Sequence, residues 1–247
     1  MSAPAFDIIH EWEEPQELHE LLEAIRERRQ DANLQRVRYA FYVAEQAHAG
    51  QLRASGQPYI THPLAVAKIL ADLQVDDDTI VAALLHDVLE DTASQTRESI
   101  AEVFGEDVVD LVEGVTKLKF KIPTEATDRQ KAVAETTRAA ESLRKMLLAM
   151  AKDFRVIIIK LADRLHNMQT LEGLSPEKRT RIANETLDIY APLAARLGIW
   201  EIKWQLEDLA FKHLHPEEFQ RVSELVSKTR TERQKQDRKS TRLNSSH

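Results

Sequence analysis

Apolar residues recur at helical spacing along almost the whole chain. Between Pro15 and Arg29 the positions Leu18, Leu21, Leu22 and Ile25 share one face, and between Asp31 and Ala49 so do Leu34, Val37, Phe41 and Ala44. Gly50 then stands where a helix C-terminus favours glycine. A loop follows through Ser55-Gly56 and Pro58. Thr61-His62-Pro63 opens a third helix, with Thr61 as its cap and Pro63 in its first turn. One of Asp76, Asp77 or Asp78 caps the next, whose segment Ile80–Leu85 has no polar face and therefore predicts a buried helix. Ser99–Phe104 and Asp107–Val115 read as short helices around Gly105, Thr116–Arg129 as a loop and Ala132–Ala151 as a long Ala-rich helix. The β-branched run in Arg155–Lys160 favours a strand by propensity. The apolar pattern nevertheless continues through Leu161, Ala162, Leu165 and Met168, and Asp153 can cap it, so one buried helix over Asp153–Leu171 is expected. Asn184–Arg196 and Trp200–Leu214 give two more, parted by Gly198. With no strand pattern surviving, the fold class is all-α.

Composition narrows this reading. Of 247 residues, 43% are hydrophobic and 30% charged, with only 6 Gly and 8 Pro, which suits a helical globule with a sizeable core. The absence of cysteine excludes disulfides, thiolate metal sites and cysteine nucleophiles. No apolar stretch approaches the roughly 18 residues that span a bilayer, and Met1–Glu14 lacks a basic-then-apolar leader pattern. A cytoplasmic location and no membrane partner are expected. The net charge of −7 conceals an asymmetry, because seven Lys or Arg face only Glu232 and Asp237 between Lys228 and Arg242. The remaining body is more acidic than the total suggests, and aromatics make up 6%, so direct nucleic-acid binding is not expected. A phosphate-rich ligand would need local cations or a metal to overcome that field.

Three places carry chemistry. The buried run ends in His86-Asp87-Val88-Leu89-Glu90-Asp91, an imidazole and three carboxylates on neighbouring turns. Carboxylates are almost never buried unless paired or holding a metal. Imidazole nitrogen with carboxylate oxygen suits Mn2+, Fe2+ or Zn2+. His62 stands at a helix N-terminus directly after a glycine-containing loop. Asp163, Asn167 and Thr170 form a polar stripe at i, i+4 and i+7 on an otherwise apolar helix, either a satisfied core network or a site.

Several long strings, in order, resemble the N-terminal hydrolase module of the RelA/SpoT family of guanosine alarmone synthetase-hydrolases. They run Arg53-Ala-Ser-Gly-Gln-Pro-Tyr-Ile-Thr-His62-Pro, Ala82-Ala-Leu-Leu-His-Asp-Val-Leu-Glu-Asp91-Thr, Gly114-Val-Thr-Lys-Leu118 and Lys160-Leu-Ala-Asp-Arg-Leu-His-Asn167-Met. Glu185-Thr-Leu-Asp-Ile-Tyr-Ala-Pro-Leu-Ala, continuing to Trp204-Gln-Leu-Glu-Asp-Leu-Ala-Phe211, extends the match, which spans Asp31 to Leu225. The resemblance implies an all-α HD-domain fold, a metal-dependent phosphohydrolase that removes the 3′-pyrophosphate of guanosine tetra- or pentaphosphate. It implies His62, His86, Asp87 and Asp163 as ligands of one Mn2+, Glu90 and Asp91 as the catalytic pair, and Arg53, Ser55, Asn167 and Thr170 lining the nucleotide pocket. Lys117, Lys119, Lys121, Arg144 and Lys145 are secondary candidates for contacting phosphate. Gln57 stands where the family has Glu, and Gln169, where Arg is frequent, would remove a cation near the pocket. The implied organisation is a helix in 1–30 packed on the domain, the HD domain in 31–200 and a helical linker in 201–238. The family's synthetase domain would follow that linker, and 239–247 matches nothing in the family. Two other readings are an HD phosphohydrolase for other nucleotides and a regulatory module whose hydrolase is silent without its partner domain.

Overall fold

The computed structural model describes residues 12–91, 95–118, 144, 148 and 152–226. Among them the regular elements are all helices, with one isolated antiparallel bridge between Leu52 and Pro58. Helices α1 (Gln16–Arg28), α2 (Leu34–Ala47), α3 (Thr61–Asp72) and α4 (Asp77–Leu85) form the first group. The short α5 (Val88–Asp91), then α6 (Arg97–Phe104) and α7 (Glu106–Lys117), follow. After the gap come α8 (Arg155–Gln169), α9 (Pro176–Glu185), α10 (Ala191–Arg196) and α11 (Trp200–Leu214). No helix among the described residues is long and apolar enough to cross a membrane.

Two helices form the axis of the molecule. In α4 every residue from Thr79 to Leu85 is buried, as its uniformly apolar sequence requires, and α2, α3, α7 and α8 surround it. The β-branched run of α8 is helical because its apolar surface is buried on all sides against α3, α7 and α11. Tertiary burial outweighs strand propensity here. Gly114 lets α7 approach α8 closely: a Cβ there would lie 2.7 Å from Cγ2 of Val156. Helix α1 buries Leu18, Leu21, Leu22 and Ile25 in this same core, and α11 buries Ile202, Leu206 and Ala210. The core therefore extends across both boundaries that the sequence suggested at 30 and 200.

Several local expectations change. Thr61 does not cap α3; it is the first helical residue, and its hydroxyl donates to Pro58 O at 2.8 Å. Helix α2 ends at Ala47 with His48 as its cap, ahead of Gly50. The segment read as one helix from Asn184 is α9, a π turn over Thr186–Tyr190, and α10. Pro192 supplies the reason: it has no N–H for the carbonyl one turn back, and the widened turn absorbs the mismatch. Helix α7 reaches Lys117, into the expected loop. The rest of that loop and of the Ala-rich helix lies outside the described residues, apart from Arg144 and Leu148, which are helical.

Helices α4 and α8 start together. Asp76 caps α4 by accepting from Thr79 N at 2.7 Å and from its hydroxyl at 2.6 Å. Its other oxygen takes Arg155 Nη1 at 3.1 Å, and Arg155 in turn binds Asp153 at 2.6 Å. Partial burial alone would raise the Asp76 pKa, but Thr79 and Arg155 hold it below the ordinary 3.8. The contribution of this brace is therefore present above that value and lost as pH falls through the lower, folded-state value. Asp76→Ala is expected to lower stability at neutral pH by about 1 kcal/mol, read from the urea midpoint. The difference between variant and parent should shrink in acid; an unchanged midpoint at pH 7 would remove Asp76 from the brace.

Candidate functional site

Ten residues beyond Asp76, α4 has run out, and the chain does not continue as the single helix its sequence suggests. His86 closes α4, and α5 begins only at Val88. The interruption matters, because adjacent residues of a regular helix do not face each other. Here His86 Nε2 and Asp87 Oδ2 are 3.2 Å apart. His62, in the first turn of α3, brings its Nε2 to 3.7 Å from Asp87 Oδ2 and 3.3 Å from Oδ1 of Asp163, halfway along α8. The ligand-type atoms of His62, His86 and Asp87 lie within 4.8 Å of one another, and Asp163 joins through His62. All four residues are buried, none more than 4% exposed.

The proton positions show what this corner lacks. His86 Nδ1 lies 2.7 Å from the carbonyl of Ala83, an acceptor only, so that nitrogen carries the proton. In the neutral ring Nε2 then presents a lone pair, and it is a buried atom with no hydrogen-bond partner. A lone pair facing a carboxylate oxygen inside a core calls for a cation between them. The electrostatics agree. Burial lowers the pKa of His86, yet Asp87 and Asp163 together raise it above the ordinary 6.5, so the corner draws in positive charge. His62 has its pKa lowered, with burial outweighing the pull of Asp163. Burial would raise Asp163, but the Lys160 ammonium at 2.6 Å and His62 hold it well below the usual carboxylate range. Two imidazoles and two carboxylates with such an unmet demand fit a divalent ion of the Mn2+, Fe2+ or Zn2+ type.

The corner opens on a cavity of about 1200 Å³, larger than the roughly 300–1,000 Å³ of small-molecule pockets. Its far wall comes from the π turn and α9, its near wall from the loop 51–59 and α8. The loop is tied as a hairpin, with Arg53 N donating to Gln57 O at 2.9 Å and Gly56 N to Arg53 O at 2.8 Å. It lies close over Gly173, where a Cβ would come within 3.3 Å of the Ala54 backbone. This places the Arg53 guanidinium on the polar stripe of α8: Nη2 donates to Asn167 Oδ1 at 3.1 Å and to Thr170 Oγ1 at 3.3 Å. Asn167 Nδ2 in turn donates to Asp163 Oδ1 at 2.6 Å. The stripe is thus both a satisfied network and a cavity wall. Ser55 sits exposed on the rim.

Other expected residues are placed differently. Glu90 is exposed on α5 and is not among the described residues lining the cavity; the side chain of Asp91 lies outside the described residues. Lys117 is paired with Glu113 at 2.6 Å on the surface, Arg144 is exposed, and Lys119, Lys121 and Lys145 lie outside the described residues. Gln169 is exposed and does not line the cavity among the described residues, so the expected loss of a cation near the pocket is not what that position shows.

Sequence reasoning passed over Tyr59, Lys160 and His166. Tyr59 donates its hydroxyl to Asp87 Oδ2 at 2.7 Å, Lys160 neutralises Asp163, and His166 Nδ1 lies 2.7 Å from His62 Nδ1. The signal was present: a Tyr three residues before His62, at the end of the loop, and a Lys and a His three residues either side of Asp163 on an apolar helix. Burial also lowers the pKa of His166 to about 4, helped by the charges of His62 and Arg53.

The chain is similar to known proteins along most of its length. The HD domain family model matches residues 40–200. A probable GTP pyrophosphokinase of Mycobacterium leprae is 53% identical over 196 residues, covering 79% of this chain and 23% of that protein. A probable guanosine-3′,5′-bis(diphosphate) 3′-pyrophosphohydrolase of Synechocystis is 54% identical over 196 residues, 79% of this chain and 24% of its own length. The bifunctional (p)ppGpp synthase/hydrolase SpoT of Escherichia coli is 51% identical over 200 residues, 81% of this chain and 27% of that one. The chain thus spans about a quarter of the length of the curated relatives it matches. A solved structure, described as a metazoan ortholog of SpoT that hydrolyzes ppGpp, superposes with a TM-score of 0.53 at 25% identity, covering 73% of this chain and 96% of that one. The chain belongs to the HD domain family.

Proposed function

We propose that this chain hydrolyses the 3′-pyrophosphate of guanosine tetra- and pentaphosphate, giving GDP or GTP and pyrophosphate. The observation that carries the proposal is the buried His62–His86–Asp87–Asp163 corner opening onto a cavity with Arg53 on its wall. The hydrolase names of the Synechocystis and Escherichia coli relatives, and the ppGpp hydrolysis ascribed to the metazoan structure, support the choice of substrate.

In this reading the four corner residues hold one Mn2+. Such an ion supplies Lewis-acid activation of water and neutralises charge on the phosphate oxygens. Tyr59 steadies Asp87, and Lys160 with Asn167 keeps Asp163 ionised and oriented. Glu90 and Asp91, one turn beyond the ligands, orient or deprotonate the attacking water. The water oxygen bonds to the phosphorus attached to the 3′ oxygen, the P–O3′ bond breaks, and the 3′ hydroxyl takes up a proton as pyrophosphate leaves. Arg53, Ser55, Asn167 and Thr170 hold the nucleotide. The volume of the cavity, about 1200 Å³, supports a ligand of nucleotide size.

The test is pyrophosphate release from ppGpp by the isolated chain, with Mn2+ present or removed by chelation. Metal-dependent release from ppGpp and none from dGTP is expected. Release from dGTP would point to an HD phosphohydrolase for other nucleotides. Bound Mn2+ without turnover would favour a module silenced by separation from its partner domain. Asp87→Ala should abolish both Mn2+ binding, followed by calorimetry, and turnover. Glu90→Gln should keep the metal and lower kcat at least tenfold; full activity in that variant would end the role given to this exposed carboxylate. Arg53→Ala should raise KM about tenfold with a smaller change in kcat, the size of one lost charged hydrogen bond.

A further inference from the structure

Behind the metal corner, His62 meets a second imidazole that is not a ligand. The two Nδ1 atoms are 2.7 Å apart, while the ring centres are 5.0 Å apart and the planes differ by 28°. The nitrogens lie much closer than the centres, so the rings face each other by their Nδ1 edges, as a nitrogen-to-nitrogen hydrogen bond requires. One of the two carries the proton, and a third group decides which. Arg53 Nη1 lies 3.1 Å from the same His166 nitrogen. A guanidinium can only donate. His166 Nδ1 therefore accepts, and the proton of the imidazole pair belongs to His62.

We infer that His166 is a positioning residue, held as an acceptor by Arg53, which fixes His62 in its Nδ1-protonated form so that the Nε2 lone pair faces the metal. The inference rests on His62 being a metal ligand, as proposed above. His86 supports the logic, because its Nδ1 is fixed in the same way by the Ala83 carbonyl. His62 does not use that device. It lies in the first turn of α3, and its Nδ1 meets His166 Nδ1 at 2.7 Å. A side chain from α8 stands where His86 has a backbone carbonyl. Without it, His62 could place its proton on Nε2 and donate to Asp163 at 3.3 Å, an arrangement that satisfies the carboxylate and blocks the ligand atom.

Removing the outer partner of a ligating histidine costs about 10- to 100-fold in metal affinity. His166→Leu should therefore raise the Kd for Mn2+ at least tenfold in calorimetric titration, with helical content and melting midpoint near those of the parent. His166→Asn places an amide oxygen close to the former Nδ1 and can accept the same proton, so its Kd should recover to within about threefold of the parent. A spectroscopic measurement needs no variant: in the Zn2+-loaded parent, long-range proton–nitrogen correlation should show the His62 proton on Nδ1 and that of His166 on Nε2. A proton on His166 Nδ1 would overturn the inference. So would a His166→Leu protein that folds and binds Mn2+ as the parent does, or equal losses in the Leu and Asn variants. If the parent itself binds neither Mn2+ nor Zn2+, the ligand assignment falls first and this inference with it.

Discussion

The structure depends on a cost: two carboxylates and two imidazoles are buried in a core made mostly of hydrocarbon. The penalty for burying an ion in a protein is several kcal/mol even after relaxation. A sequence accepts that only where compensation is built around the group. Asp163 receives Lys160 and Asn167, Asp87 receives the Tyr59 hydroxyl, and the two imidazoles each have an acceptor behind them. What the protein does not supply is a partner for His86 Nε2. The compensation is complete except at the point where the ligand atoms converge, and that pattern separates a site made for a cation from a satisfied polar network.

Placing those atoms is the task of α4 and α8. Both start at the Asp76–Arg155–Asp153 brace. From there α4 runs to His86 and α8 to Asp163, roughly 12–14 Å in each case at the helical rise. Two rods of similar length, braced together at their starts, bring their chemistry to one corner. The close approach at Gly114 and the absence of any polar face on Ile80–Leu85 keep the rods packed against their neighbours. The break after Leu85 then does what a continuous helix could not, turning two consecutive residues toward one point.

Much of this was legible from residue order. The buried character of α4, the helical state of Arg155–Lys160 and a cap among Asp76, Asp77 and Asp78 follow from periodicity and capping chemistry, which are local properties. The stripe of Asp163, Asn167 and Thr170 was visible for the same reason. The break between α4 and α5 was not, because Val88 and Leu89 continue the apolar pattern and neither Gly nor Pro marks the interruption. The π turn was hinted at by Pro192 alone. Least legible were the partners standing behind the ligands. His166 acquires its role from a helix crossing that brings α3 against α8, and sequence spacing within one helix carries no information about that crossing; Lys160 meets Asp163 at i, i+3 within α8, a spacing that sequence does show.

The polyphosphate substrate proposed above needs positive charge at the wall of a cavity in an acidic protein. Lys160 and Arg164 both line the cavity, yet neither has positive charge to spare: Lys160 is neutralised by Asp163 at 2.6 Å and Arg164 by Glu185 at 3.2 Å, with Tyr190 beneath its guanidinium. Arg53 differs in kind. The partners that hold it, His166, Asn167 and Thr170, are all neutral acceptors, so the guanidinium is positioned without being neutralised. Orientation by neutral groups preserves the field of a cation where a carboxylate partner would cancel it. Arg53 thus meets two demands with one side chain. It leaves a full positive charge at the cavity wall for the proposed phosphate ligand, and, in the arrangement inferred above, through His166 it keeps the proton of His62 away from the atom proposed to face a metal.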